Sequence, residues 1–240
     1  MIFELFEDTA KMSFIVFCLY SVFRAYVRLR QPAWSILLER RRLAILSALV
    51  LAVLALKVSE DVLGGESGPI DRAILVFVHA HVSTALTAVF EVITLSGSAY
   101  VLVPVVLLTT IALLYGKHRY EAFLLAASAS TAAALVYILK TFVDRTRPAL
   151  WPSESYSGSS FPSGHALVVA AVATAVALAL TRLWPASREW VVSVAFLWTL
   201  LVAFSRLVLG VHWPTDVLAA ACIGATLPLA ISLVLAFKRI

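Results

Sequence analysis

Residues 190 to 237 decide the architecture of the chain, and their sequence is WVVSVAFLWTLLVAFSRLVLGVHWPTDVLAAACIGATLPLAISLVLAF. Two runs without a charged residue, 190–205 and 217–237, flank a short polar stretch that contains His212 and Asp216. Each run approaches the roughly 20 residues with which an α-helix crosses a bilayer. Since ionisable side chains are costly beside a lipid core, we expect the polar stretch to carry the function.

His212 and Asp216 stand four residues apart, across the predicted start of the second helix at Pro214. Proline fits the first turn of a helix because the N–H that it lacks would have no partner there. The carboxylate of Asp216 can then hold one imidazole nitrogen while the other nitrogen faces a substrate. This pattern predicts a base or nucleophile with its orienting group. The alternative is that His212 is a polar tip among lipid headgroups and that Arg206 extends to the same interface.

The composition is that of a membrane protein. Of the 240 residues 62% are hydrophobic and 14% are charged, and the mean hydropathy is +0.96. Soluble domains are only about 45–50% apolar. Several uninterrupted apolar runs favour helices over a β-barrel, whose strands would alternate. The net charge of +5 comes mostly from short loops, so membrane topology explains it and no nucleic-acid partner is expected.

The predicted fold is all-α, a polytopic bundle of six transmembrane helices that occupies residues 43–240. Small residues are frequent in several spans, which favours close helix packing. An even number of spans places both ends of the bundle on the same side of the membrane. The predicted spans are residues 43–56, 98–115, 122–139, 166–181, 190–205 and 217–237.

Two segments outside these spans are predicted to be interfacial. In the N-terminal segment 1–42, the apolar run 12–23 is short and passes into an arginine-rich sequence, which favours a helix at the interface over a span. An acidic loop with turn signals is predicted over 57–71. Residues 70–95 are apolar but interrupted by charged and histidine side chains, so we expect a helix along the extracytoplasmic surface or packed on the bundle.

The cysteines and the remaining histidines do not predict a metal site. Cys18 and Cys222 lie in apolar runs and support neither a disulfide framework nor thiolate ligation. His79 and His81 are two residues apart and so do not share a helix face. No cleavable signal peptide is expected, because arginines follow the first apolar run where a small-residue cleavage site would stand.

The basic residues predict the orientation of the bundle. From Arg40 onward, nine lie in loops on one side and six on the other, so the first side is cytoplasmic by the positive-inside rule. Both termini are then cytoplasmic, and the stretch 206–216 faces the extracytoplasmic side. The nine are Arg40, Arg41, Arg42, Lys117, Arg119, Arg182, Arg188, Lys238 and Arg239, and the six are Lys57, Arg72, Lys140, Arg145, Arg147 and Arg206.

A second cluster follows the span 122–139, where Lys140, Arg145 and Arg147 fall within eight residues. The planar fork of arginine and the compact charge of lysine both suit phosphate oxygens, which predicts an anion site. The alternative is a basic patch that touches anionic lipid headgroups.

A third cluster, Pro162-Ser163-Gly164-His165, follows a serine-rich loop and directly precedes the span 166–181. Unpaired N–H groups at a helix start favour an anion, and glycine lets the backbone approach it. His165 would stand beside that anion as a proton donor. The alternative is a helix-entry turn with a serine cap.

Because the six spans alternate in direction, all three clusters are predicted to lie on one rim of the bundle. The end of the third span, the start of the fourth, the end of the fifth and the start of the sixth all emerge there. The residues that would share this rim are Lys140, Arg147, Ser163, His165, Arg206, His212 and Asp216.

The three motifs together resemble the signature of the type 2 phosphatidic acid phosphatase (PAP2) family. The sequence matches this signature at every position, and the first 40 residues lie outside the resemblance. The matching elements are Lys140 with six residues before Arg147-Pro148, then Pro162-Ser163-Gly164-His165, then Ser205-Arg206 with five residues before His212 and three more before Asp216.

The resemblance implies an integral membrane phosphatase that needs no metal or other cofactor. His212 would take the phosphoryl group as a phosphohistidine, with Asp216 fixing its tautomer. His165 would protonate the leaving oxygen and later help to activate water. Arg145 and Asp144 fall outside the signature, and we expect them to pair or to face solvent with little energetic weight. The implied phosphate-binding residues are Lys140, Arg147, Ser163, Gly164 and Arg206.

The predicted function is hydrolysis of the phosphomonoester or pyrophosphate headgroup of a membrane lipid. By resemblance, the substrate would be undecaprenyl pyrophosphate, phosphatidylglycerol phosphate, phosphatidic acid or a similar lipid, with the first two favoured. A phosphotransferase with the same site is an open alternative. A lipid-phosphate transporter is disfavoured because the ionisable groups stay on one rim, although Pro104 and Pro228 interrupt two spans.

Overall fold

The computed structural model describes residues 2–30, 41–151 and 158–237. Residues 152–157 of the serine-rich loop lie outside the described residues, as do residues 31–40 of the N-terminal segment. The same holds for three of the basic residues in the charge count, Arg40, Lys238 and Arg239.

Within the described ranges the backbone forms nine α-helices and one 3-10 helix, Pro185–Ser187, and no β-strand. The predicted all-α membrane bundle is therefore confirmed. The helices are α1 (Ile2–Arg30), α2 (Arg42–Gly64), α3 (Gly68–His81), α4 (Thr84–Leu95), α5 (Ala99–Tyr115), α6 (Arg119–Val143), α7 (Gly164–Leu183), α8 (Arg188–Val208) and α9 (Pro214–Phe237).

Local sequence explains where several helices end and begin. Helix α2 ends at Gly64 and is capped by Gly65, whose φ of 75° lets its own N–H donate to the carbonyl oxygen of Val62 and the N–H of Glu66 donate to that of Asp61. Helix α4 begins after Ser83, whose hydroxyl accepts a hydrogen bond from the N–H of Leu86. The turns at these ends keep the connections between α2, α3 and α4 only a few residues long.

Helix α7 is the centre of the bundle and packs against α6, α8 and α9. Its alanines are buried, and they let neighbouring helices approach closely. The tightest approach is to α9, where a Cβ added to Gly224 would lie 2.2 Å from the carbonyl oxygen of Leu167. Leu167 stands one turn into α7 and Gly224 about two turns beyond Asp216 on α9, so this contact fixes how closely the two helices approach behind their first turns.

Within the described ranges, six helices are long and apolar enough to cross a membrane, and the bent pair α3 and α4 would make seven if it counted as one span. These six are α1, α2, α6, α7, α8 and α9, so α1 is among them and the predicted span at α5 is not. In α1 the stretch Asp8–Leu29 is long and apolar enough for a span, whereas the sequence favoured an interfacial helix there. Helix α5 forms over the predicted residues but has only 17, so at 1.5 Å per residue it is roughly 26 Å long against a hydrocarbon core of about 30 Å.

An ion pair joins the beginning of α1 to the end of α2, since Lys57 Nζ lies 3.4 Å from Asp8 Oδ2. The beginning of α1 therefore lies beside the last turns of α2. The last turns of α2 pack through Val58 and Val62 against Phe161 and Ala219. The beginning of α1 thus lies at the end of the bundle where α7 and α9 begin, whereas the charge count predicts a cytoplasmic N terminus.

The segment between α2 and α5 differs from its prediction. The acidic loop expected over 57–71 is mostly helical, because α2 continues to Gly64 and α3 starts at Gly68. Asp71 is consequently not an exposed loop residue but a fully buried residue in the first turn of α3. Helices α3 and α4 are bent by 116° relative to each other, and both pack on α8, as the bundle-packed alternative for this segment predicted.

Candidate active site

The predicted site residues lie at helix ends on one side of the bundle. Lys140 is in the last turn of α6, and Arg147 follows in the loop after it. Ser163 precedes α7, which begins with Gly164 and His165. The remaining three are Arg206 in the last turn of α8, His212 in the connection to α9, and Asp216 in the first turn of α9.

His212 and Asp216 form a buried pair. His212 is 3% exposed and Asp216 is completely buried, and 3.6 Å separates Nδ1 of the ring from Oδ2 of the carboxylate. The same oxygen accepts a hydrogen bond of 2.9 Å from the N–H of Trp213, so the carboxylate is oriented by the turn that carries the histidine. The other ring nitrogen, Nε2, is directed away from Asp216 and towards Arg147.

Burial lowers the pKa of the His212 ring to about 4. Asp216 acts in the opposite direction by favouring the protonated ring, whereas the positive charges of Arg206 and Arg147 lower the pKa further. The imidazole is therefore neutral at ordinary pH, with a lone pair available on one nitrogen.

Arg147 brings a positive charge to the free side of this ring. Its Nη1 lies 3.4 Å from His212 Nε2 and donates a hydrogen bond of 2.8 Å to the carbonyl oxygen of Val211. Its Nε donates to the carbonyl oxygen of Gly158 over 3.1 Å. The Lys140 ammonium donates to the carbonyl oxygen of Ser159. Both cations are thus fixed in position by backbone carbonyl oxygens of the loops next to the ring.

The start of α7 faces the same group of charges. Ser163 is completely buried, and among the described residues its Oγ has no hydrogen-bond partner. Its N–H donates to the carbonyl oxygen of Asp216 over 3.3 Å, which ties the start of α7 to the start of α9. His165 lies within the electrostatic range of four predicted site residues, namely Arg206, His212, Lys140 and Arg147. The helix N-terminus, the hydroxyl and the cations therefore converge on one volume that suits an anion.

Arg206 is the most deeply buried of the cations, with 1% of its surface exposed. It donates a hydrogen bond of 2.7 Å from Nη1 to the hydroxyl of Thr94, at the end of α4. Nothing in the sequence identified Thr94, because a single threonine at the end of an apolar helix has many possible partners.

Arg145 corrects the sequence interpretation. It was expected to form an exposed pair or to face solvent, but only 15% of its side chain is exposed, and it lies between two buried carboxylates, Asp71 and Asp216. Asp144, in contrast, is exposed and ends α6 in the left-handed conformation. The sequence did not identify Asp71 as a site residue, because the segment around it was predicted to be a loop. The signal that could have found it is an acidic residue in the first turn of a helix that starts at Gly68-Pro69.

Two histidines outside this cluster stack on aromatic rings. His79 stacks on Trp151 with ring centroids 3.9 Å apart, and His81 stacks on Phe77 at 4.1 Å. Trp151 also packs over Gly210, where an added Cβ would lie 2.8 Å from the indole nitrogen. Across the part of the chain that the structure describes, no three His, Cys, Asp or Glu side chains come together as a metal site would need.

The profile of the PAP2 superfamily matches residues 121–239 of this chain, a range that contains every predicted site residue. The phosphatidylglycerophosphatase B of Bacillus subtilis is 30% identical over 145 residues, which cover 59% of this chain and 71% of that protein. The undecaprenyl-diphosphatase of Sulfolobus acidocaldarius is 33% identical over 135 residues, which cover 54% of this chain and 61% of that protein.

A solved structure has the same fold. The crystal structure of the transmembrane PAP2-type phosphatidylglycerolphosphate phosphatase from Bacillus subtilis superposes with a TM-score of 0.72 at 26% identity. The superposition covers 80% of this chain and 96% of that one. The similarity therefore extends beyond the signature motifs to the arrangement of the helices.

Proposed function

Since this chain belongs to the PAP2 superfamily and is a multi-pass membrane hydrolase of phosphoester or pyrophosphate bonds, we propose that it dephosphorylates a membrane lipid through a phosphohistidine on His212. The observation that carries the proposal is the environment of one ring. Asp216 lies 3.6 Å from its Nδ1 and the guanidinium of Arg147 lies 3.4 Å from its Nε2. A nucleophile and a cation that can bind the phosphoryl oxygens are thus adjacent.

In the first step, Nε2 of His212 attacks phosphorus and the bond from phosphorus to the leaving oxygen breaks. His165 gives its proton to that oxygen, so the lipid product leaves neutral at this position. In the second step, His165 takes a proton from water, whose oxygen attacks phosphorus and releases phosphate from the ring. The nucleophile and the acid must act on opposite sides of phosphorus, and two histidines from separate segments, one before α9 and one in α7, can meet this demand.

The phosphoryl oxygens would be held by cations and a helix start. Phosphoryl transfer depends mostly on positioning and on neutralising charge on the equatorial oxygens. Ser163 and Gly164 at the start of α7 would supply a hydroxyl and a backbone N–H to that group. The three cations that would bind it are Lys140, Arg147 and Arg206. On this proposal the reaction proceeds without a metal ion or other cofactor.

The site is proposed to open on the extracytoplasmic side, because the opposite loops carry more basic residues. The C terminus would then be cytoplasmic, at the far end of α9. For the N terminus, the pair between Asp8 and Lys57 favours the active-site side over the cytoplasmic side that the charge count predicts. A site at this depth suits an amphiphile whose headgroup lies at the interface.

The names of the relatives narrow the substrate class. Phosphatidylglycerol phosphate and undecaprenyl pyrophosphate are the lipids that we propose first, because relatives named for each share the chain's family. Phosphatidic acid is a third member of the same chemical class. All three present a phosphomonoester or terminal phosphate to a site that binds one phosphoryl group.

A panel of these lipids, assayed with purified protein in detergent and with a chelator present, tests the proposal. We expect release of inorganic phosphate from at least one lipid, and loss of this activity in a folded His212→Ala variant. Substantial activity in that variant would exclude the nucleophile role. Mass analysis of the products separates hydrolysis from transfer to another lipid or sugar, and conversion of any lipid would argue against a transporter.

A further inference from the structure

Arg145 connects the starts of two helices through hydrogen bonds from both terminal nitrogens of its guanidinium. Its Nη2 donates to Ser67 Oγ over 3.0 Å and to Asp71 Oδ2 over 2.7 Å, at the start of α3. Its Nη1 donates to Thr215 Oγ1 over 2.9 Å and to Asp216 Oδ1, at the start of α9. One guanidinium thereby bridges two carboxylates that are both completely buried.

Asp71 has a second connection to α9 that does not pass through the arginine. Its Oδ1 accepts a hydrogen bond of 2.9 Å from the N–H of Thr215, and its Oδ2 accepts one of 2.6 Å from the Thr215 hydroxyl. The N–H groups in the first turn of a helix have no intrahelical partner, so Asp71 caps α9 from another helix. Helix α3 is thus fastened to the residue next to Asp216.

These contacts determine the orientation of Asp216. Arg145 holds Oδ1, and the N–H of Trp213 holds Oδ2 at 2.9 Å. With both oxygens fixed, Oδ2 is presented to the His212 ring. Without the guanidinium, both buried carboxylates would lose the cation that they share, and removing one partner from a buried ion pair is strongly unfavourable.

We propose that Arg145 and Asp71 are positioning residues for turnover, which hold Asp216 in the orientation that serves His212. This inference rests on the proposed function of His212. The proposed mechanism gives neither residue a contact with the phosphoryl group, so their substitution should lower kcat and leave KM nearly unchanged. A purely structural ion pair would lower stability without this selective effect on kcat.

The charged or titratable groups that face His212 come from each neighbouring element. They are Asp216 from α9, Arg206 from α8, Arg147 from the loop after α6 and His165 from α7. The hydrogen bonds of Arg145 go to Asp216 and not to the ring itself. Loss of its positive charge would strengthen the effect of the Asp216 carboxylate on the ring and raise the pKa of His212. The acidic limb of the kcat profile should then move to higher pH.

The test measures kcat, KM and the melting temperature on phosphatidic acid in detergent micelles, for the wild type and a set of matched variants. Arg145→Gln and Asp71→Asn should each lower kcat by roughly 10- to 100-fold, the loss found when partners that orient metal-ligating side chains are removed. Arg145→Lys keeps the charge but cannot bridge both carboxylates. Its kcat should therefore lie between that of Arg145→Gln and that of the wild type.

The matched control is the pair between Glu121 and Arg182 at the opposite end of the bundle. Glu121 is also buried, and its Oε1 lies 3.0 Å from Arg182 Nε. Glu121→Gln removes a buried carboxylate from an arginine, as Asp71→Asn does. It should lower the melting temperature while kcat and KM stay at the wild-type values.

The decisive comparison is a double-mutant cycle. If Arg145 acts through Asp216, Arg145→Gln should cost little further kcat in an Asp216→Asn background. Two results would overturn the inference and leave the proposed function intact. One is a double variant in which the two single losses of kcat multiply. The other is wild-type kcat in folded Arg145→Lys and Arg145→Gln proteins. A wild type that releases no phosphate from any lipid of the panel would overturn the proposed function, and this inference with it.

Discussion

The close contact between α7 and α9 makes Gly224→Ala a sensitive test of how the site is assembled. The new Cβ would lie 2.2 Å from the carbonyl oxygen of Leu167, where ordinary contact begins at 3.4 Å. The two backbones must therefore separate by the difference, 3.4 − 2.2 = 1.2 Å, because a main-chain oxygen cannot rotate away as a side chain can. Overpacking of this kind typically costs about 1–3 kcal/mol of stability.

The separation should also damage catalysis, because it occurs one turn above Ser163 and His165 on α7 and two turns from Asp216 on α9. A misplacement of about 1 Å can cost roughly 100-fold in rate. We expect a kcat reduced by about that factor and a lower melting temperature in detergent. Gly68→Ala is the control, since nothing lies within 4 Å of its Cβ. A Gly224→Ala protein with the melting temperature and kcat of the wild type would refute the reasoning.

Three other expectations concern the ring, its loop and the orientation. Burial lowers the pKa of His212 to about 4, so the unfolded chain binds more protons than the folded chain between that pH and about 6.5. The free energy of unfolding should therefore fall by about 3 kcal/mol as the pH decreases through this window. A melting temperature independent of pH over that range would contradict the lowered pKa. Gly210→Ala should lower kcat and stability more than Gly65→Ala does. Both glycines have positive φ, but only at Gly210 would the new Cβ also lie 2.8 Å from the indole nitrogen of Trp151. Equal losses in the two variants would exclude a role for that contact. In a background without native cysteines, Asp144→Cys should react with an impermeant thiol reagent added outside intact cells, and Lys117→Cys only after permeabilisation; the reverse pattern would place the site on the cytoplasmic side.

The sequence was sufficient to predict which residues meet at the rim. Each motif stands at the end of a strongly apolar run, and consecutive helices alternate in direction, so the ends of α6 and α8 and the starts of α7 and α9 meet. The hydrogen-bond partners of these residues and their degree of burial could not be predicted from the motifs. That His212 would be nearly inaccessible, for example, follows from the packing of the loop and not from its spacing to Asp216.

The bridging arginine shows why the remainder could not be predicted. Arg145 and Asp71 are separated by 74 positions, and the pattern around Asp71 resembled an acidic loop because glycines, a proline and four carboxylates fall close together. Only the packing of α3 on α8 and α9 brings this carboxylate inside. A single sequence gives no information about such a pairing between two charges in separate short segments.

The N-terminal helix illustrates a different limit. The run 12–23 is short when it is delimited by charged residues, but the helix continues over 29 residues from Ile2 to Arg30. Arginines near the ends of a span can extend to the headgroups, so a charge does not mark the end of a helix. Hydropathy also contains no information on the ion pair between Asp8 and Lys57, which joins the beginning of α1 to α2.

The contrast between α5 and α7 bears on which substitutions the protein can accept over evolutionary time. Helix α7 holds seven alanines, all buried, whereas α5 consists mainly of valine and leucine and buries only Leu102. Both helices are apolar, but in α7 the volume at the alanine positions is fixed by neighbouring helices. Mutational drift in α5 should therefore exchange one aliphatic residue for another freely, while homologous positions in α7 should retain small residues even as overall identity declines.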